Sequence, residues 1–152
     1  YLAKDYFIII SGLIIKKEIL QKENYFNEKY NIIGDYDLLM RISKYANAKG
    51  FIEPLIYYRV HKNNFSKLNN EMFFEEYKDW FNKQNQKSDS SFKKNKNYFL
   101  LKLERLEIIY FLYKNKSLKL FFKILKFPHF PSKMKFLLAF FLPLKLINYF
   151  RK

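Results

Sequence analysis

The chain has no cysteine, which excludes a disulfide framework and any thiolate metal site. Glycine is nearly absent, three residues in 152, so no glycine-rich loop exists to cradle a phosphate. Proline is scarce too, at positions 54, 128, 131 and 143. Long apolar runs are missing from the C-terminal part. Its longest uncharged stretch covers residues 136–144 and contains a proline, whereas a membrane-spanning helix needs about 20 apolar residues. Acidic residues also run out there. Residues 93–152 hold 15 Lys and Arg against two Glu, a net of +13. Residues 1–92 are near neutral, at +2. A globular front is thus followed by a basic, hydrophobic tail, an asymmetry that points to a polyanionic surface.

What is present is aromatic and patterned. Residues 6–10 form an apolar run of buried-strand type, broken by Ser11 and Gly12 and resumed by Leu13, Ile14 and Ile15. Runs apolar on both faces suit an α/β sheet. The glycine lets backbone or ligand approach closely, and in a core strand it commonly marks a bulge. Residues 16–22 suggest a short helix, followed by a loop over 23–31 that Tyr25 and Phe26 anchor to the core. Leu38, Leu39, Ile42 and Tyr45 recur at helical spacing behind Asp35 and Asp37. Asp is a favoured N-cap, the ordinary reading of Asp35; a catalytic carboxylate is the alternative. Asp37 lies four residues before Arg41, the spacing of a solvated ion pair. Gly50 is placed to stop this helix.

Pro54 can open a strand. Residues 55–61 then alternate, with Tyr57, Arg59 and His61 on one face. His61 precedes the polar loop Lys62-Asn63-Asn64. A histidine at a strand end is ordinarily exposed or hydrogen-bonded, and a metal-ligand role is the sharper reading. Residues 69–81 suggest an amphipathic helix in which Trp80 packs, with stacking on an acceptor as the alternative. Residues 82–97 are polar and suggest a linker. Residues 98–113 and 117–127 are helical in pattern, the latter with Lys116, Lys119, Lys123 and Lys126 as one stripe. Such helices lie in a membrane interface; a helical hairpin packing on an upstream half of the protein is the alternative. Interleaved aromatics and lysines also occur in single-strand nucleic-acid binders, but here the aromatics share helix faces with aliphatic residues, so no nucleic-acid partner is expected.

Four pieces follow one another in order: Ser11-Gly12-Leu13-Ile14-Ile15; Tyr25-Phe26-Asn27-Glu28; Gly34-Asp35-Tyr36-Asp37-Leu38 with Arg41; and Tyr58-Arg59-Val60-His61 with Ser66. Over roughly the first 66 residues this succession resembles the second half of the catalytic domain of family 2 glycosyltransferases. The resemblance implies an α/β fold, the C-terminal part of a GT-A domain over residues 1–81, then the linker and a helical tail over 98–152. It implies an inverting transfer of sugar from a nucleotide-sugar donor to a hydroxyl of a glycan or lipid-linked acceptor, as in surface polysaccharide synthesis. Asp35 would be the general base. Ser11, Asp37, Arg59 and Lys62 would touch substrate, and His61 would lie at a Mg²⁺ or Mn²⁺ ion whose main ligands are expected upstream, in a nucleotide-binding half. Gly34 departs from the family, where Glu is commoner, and puts any role of that Glu in doubt. The tail implies peripheral attachment to an anionic membrane on its cytoplasmic face. A different reading dispenses with chemistry and makes the chain a basic membrane- or polyanion-binding module.

Overall fold

The computed structural model describes residues 2–4, 6, 8–51, 53–57, 59, 69–87 and 89–143. Of these, 64% are helical and none lies in a strand. The α/β expectation is therefore corrected: the described chain is all-helical. The expected strand over residues 6–10 gives a single 3-10 turn, Ile10–Gly12, with Ile9, Ile10 and Ile14 exposed. Residues 53–57 carry no regular secondary structure, and Leu55, Ile56 and Tyr57 are exposed; residues 58, 60 and 61 of the expected strand lie outside the described residues. Two short strand-type segments cannot make a stable sheet by themselves.

Among the described residues six α-helices follow that turn: α1 Lys17–Lys22, α2 Gly34–Ile42, α3 Asn70–Lys87, α4 Ser90–Lys114, α5 Leu118–Lys126 and α6 Phe130–Phe141. The linker expected over 82–97 is instead the end of α3 and the start of α4. The break between them is made by Asp89, whose Oδ1 accepts the Ser91 amide at 2.7 Å and caps α4. The chain divides into two compact units, Tyr1–Leu100 and Leu101–Lys152.

The first unit is built on aromatic rings. On α2, Leu38, Leu39 and Ile42 turn inward as their spacing predicts, whereas Tyr45 is exposed. Tyr36 meets Trp80 of α3 edge-on at 5.1 Å, and Trp80 meets Phe99 of α4 edge-on at 5.3 Å. Phe92 stacks on Phe99 at 5.1 Å. Such pairs each add about 0.5–1.5 kcal/mol beyond area burial. Trp80 is thus a core residue.

In the second unit Ile108, Leu112, Leu120, Ile124, Phe127 and Phe136 form one buried cluster. Ser117 caps α5 by accepting the Leu120 amide, and His129 caps α6 through Nδ1, which accepts the Ser132 amide. Pro131 sits in the first turn of α6, where a missing N–H costs nothing. No helix among the described residues is long and apolar enough to cross a membrane.

Candidate functional site

The head of α2 carries the sequence-predicted carboxylates, and a residue from another helix builds it. Glu76 of α3 is buried, and its carboxylate takes three consecutive backbone amides: Asn31 at 2.8 Å, Ile32 at 2.9 Å and Ile33 at 3.1 Å. Successive N–H groups of this kind form an anion-binding nest; here the chain fills it with its own carboxylate. The N-cap residue of α2 is Ile33, which has no side chain to cap with. Asp35 therefore is not the N-cap. It stands inside the first turn, half-buried, with Oδ1 accepting the Tyr36 amide at 2.7 Å. Acidic charge there is favoured by the helix dipole. The Tyr6 phenol lies beside it; burial first, and then the Asp35 carboxylate, pushes that phenol well above its ordinary range. Burial likewise pushes the Tyr36 phenol up to about 12.

Asp37 is not a solvated partner of Arg41 as its spacing implied. It is buried, and its Oδ2 accepts from Arg41 Nε at 3.0 Å. The same guanidinium donates to the Glu23 carboxylate and carbonyl, each at 2.7 Å, and to the Tyr25 carbonyl at 2.8 Å. Arg41 thereby clamps the end of α1, where Asn24 and Tyr25 adopt left-handed backbone with φ of 52° and 59°. Such geometry costs a residue such as tyrosine roughly 1–2 kcal/mol; three guanidinium bonds to Glu23 and Tyr25 hold it. Tyr25 and Phe26 do not anchor the loop, because both are exposed.

Two of the remaining predicted residues, Ser11 and Arg59, are among those described. Ser11 is exposed in the 3-10 turn, and Arg59 is exposed. His61, Lys62 and Ser66 lie outside the described residues. Gly12 does make the close approach expected of it: a Cβ there would meet Ile56 Cδ1 at 2.8 Å. That contact sets the Ser11 turn against the segment leading toward Arg59. Asp35 and Asp37, two positions apart on α2, serve different neighbours, Tyr6 and Arg41. From α2, Asp37 and Arg41 line the open cleft of ≈ 380 Å³ beside α1, and Asp35 does not.

The described residues do not include His61, the residue expected at the cation. Mg²⁺ or Ca²⁺ needs about six oxygen ligands, Asp37 is held by a guanidinium, and among the described residues no three His, Asp or Glu side chains converge. Glu76 and the Arg41 clamp went unread in the sequence, although Glu76 had a signal. It falls in the stripe Phe73, Glu76, Tyr77, Trp80, a charge at a core position of an amphipathic helix. No protein-family model, curated protein or solved structure matches this chain.

Proposed function

We propose that this chain supplies the acceptor-activating part of an inverting glycosyltransferase, which moves sugar from a nucleotide-sugar donor to a hydroxyl of a glycan or lipid-linked acceptor. One observation carries the reading: Asp35 is a half-buried carboxylate at the head of α2, beside the half-buried Tyr6, whose hydroxyl is shielded from solvent. Its neighbour Asp37 is neutralised by Arg41, so the turn offers one carboxylate for proton transfer. In the step, the acceptor oxygen attacks the anomeric carbon as Asp35 takes its proton. The bond from that carbon to the diphosphate oxygen breaks, and the diphosphate leaves with the electron pair. General-base catalysis contributes about 10²–10⁴-fold. Asp35→Asn in the full-length protein should lower acceptor-dependent release of nucleoside diphosphate by about that factor. Turnover near wild type would remove Asp35 from the role.

The tail supports peripheral attachment to an anionic membrane, and with it the second, non-catalytic reading. On α5, Leu118, Phe122 and Leu125 are exposed at i, i+4 and i+7; on α6, Phe130, Met134, Leu138 and Phe141 repeat at i, i+4, i+8 and i+11. Lysines 119, 126, 133 and 135 flank these faces. Each lysine near an anionic leaflet contributes roughly 1 kcal/mol. Flotation of the full-length protein with phosphatidylglycerol vesicles, lost in Phe122→Asp and at high salt, is the expected result. Flotation without any donor turnover would favour the module over the enzyme.

A further inference from the structure

The open cleft of ≈ 380 Å³ in the first unit is lined by the end of α1, the loop after it and the C-terminal half of α3. Three features set it apart from an ordinary surface dent. Its rim is conformationally expensive at Tyr25, which is left-handed beside a left-handed Asn24 without being glycine or asparagine. Strain of this kind concentrates where ligands bind. Its lining mixes cations with amides: Lys22, Lys83 and Lys87 with Asn24, Asn27 and Gln84. And its carboxylates are already spoken for, Glu23 and Asp37 by Arg41.

Charge decides what the cleft attracts. Asp79, behind it, answers both Lys29 and Lys83. Among the described residues Lys22 and Lys87 have no carboxylate partner; Lys22 lies 3.8 Å over the exposed Tyr45 ring. The α1 carbonyls that would repel an anion are closed off. Ile19 O accepts the Glu23 amide, Leu20 O the Tyr25 amide and Gln21 O the Asn24 amide, at 3.2, 2.8 and 3.1 Å. The Glu23 and Tyr25 carbonyls face the Arg41 guanidinium. What remains open to a ligand is two uncompensated ammonium groups, the Asn24 and Gln84 amides that both donate and accept, the Asn27 NH₂ whose own oxygen takes the Lys29 amide at 3.1 Å, and the half-exposed ring of Tyr25.

We propose that this cleft binds the phosphate ester of a polyhydroxylated molecule, with Lys22 and Lys87 on the phosphate, Asn24, Asn27 and Gln84 on hydroxyls, and Tyr25 as the apolar wall. The site contains neither Asp35 nor Ser11, and it stands without the transferase reading. The ester can come from a soluble sugar phosphate or from a phospholipid headgroup, because both present the same chemistry.

Calorimetric titration of the full chain tests it, with glucose 1-phosphate, glucose and inorganic phosphate as probes. Glucose 1-phosphate should bind more tightly than either other probe, and Lys22→Ala/Lys87→Ala should weaken it about 10-fold or more, the loss of two charge-assisted hydrogen bonds. Gln84→Ala, at a partly exposed helix position, provides an independent variant and should weaken it less. Unchanged affinity in the double variant, or equal binding of glucose or inorganic phosphate, overturns the proposal. Displacement by phosphatidylglycerol vesicles in the wild type but not in the double variant identifies a lipid source; no displacement identifies a soluble ester. Both uphold the site. Asp35→Asn should bind as wild type. Binding without turnover leaves the cleft standing and removes the transferase; Asp35-dependent turnover without binding does the reverse.

Discussion

Glu76 is the residue whose removal the first unit should feel most. Its carboxylate accepts three amides at 2.8–3.1 Å. Hydrogen bonds to a charged group each contribute about 1.5–3 kcal/mol. The three share one charge, so they do not add. The Asn31 and Ile32 amides are only partly buried and water can take them over. The Ile33 amide cannot be reached, since that residue is 1% exposed, and an orphaned buried donor costs about 1–3 kcal/mol. Glu76→Ala should therefore destabilise the protein by about 3–4 kcal/mol. Glu76→Gln keeps an acceptor oxygen but turns an amide against one of the N–H groups, and should cost about half as much. The assay is urea unfolding followed by tryptophan fluorescence. Trp80 is the only tryptophan, is buried, and lies one helical turn beyond Glu76. With a slope near ~2 kcal/mol per molar, the alanine variant should shift the midpoint by roughly 1.5–2 M. A shift corresponding to less than about 1 kcal/mol, or alanine and glutamine variants that unfold together, would refute the nest as the support of α2.

Four further outcomes follow from other parts of the molecule. Lys83, Tyr30 and Lys29 hold the Asp79 carboxyl down at about 2, against 3.8 unfolded. Its contribution is then present above pH 4 and lost as pH falls from 4 toward 2, so Asp79→Asn should flatten that part of an acid-unfolding curve. Tyr25→Gly, relieving left-handed backbone at an exposed ring, should raise stability by about 1 kcal/mol in the same urea assay, while Tyr25→Ala should not. Ile124→Ala, at a position with 0% exposure in the second unit, should cost about 2–5 kcal/mol, read as a fall in melting temperature. Gly12→Ala should cost under ~1.5 kcal/mol by thermal melting, because the obstructing atom is the free end of half-exposed Ile56. Gly12→Val should cost more.

Legibility in the sequence tracked the range of the interaction. Helix α2 could be read from Leu38, Leu39 and Ile42, and α5 from its lysine stripe, because periodicity is local. That stripe is nonetheless divided in the structure. Lys116 donates to the Ala139 carbonyl and closes the end of α6, and Lys123 pairs with Glu107. The apolar runs around Ile9 and Leu55 were misjudged for the opposite reason. A strand exists only through its neighbours, and the described residues offer none to pair with. The polar stretch 82–97 looked like a linker because helix α4 begins on an exposed, lysine-rich turn, whose burial starts only at Phe92 and Phe99.

At the candidate site the same division holds. The position of Asp35 at the front of a helix, the pairing of Asp37 with Arg41, the core place of Trp80 and the basic tail were all settled by spacing and composition, since each depends on residues within a turn or two. That Asp37 is buried, that Arg41 also grips the end of α1, and that Glu76 holds the start of α2 from more than forty residues away were decided only in three dimensions. A carboxylate and the amides it satisfies carry no shared periodicity, so nothing short of the folded chain brings them together.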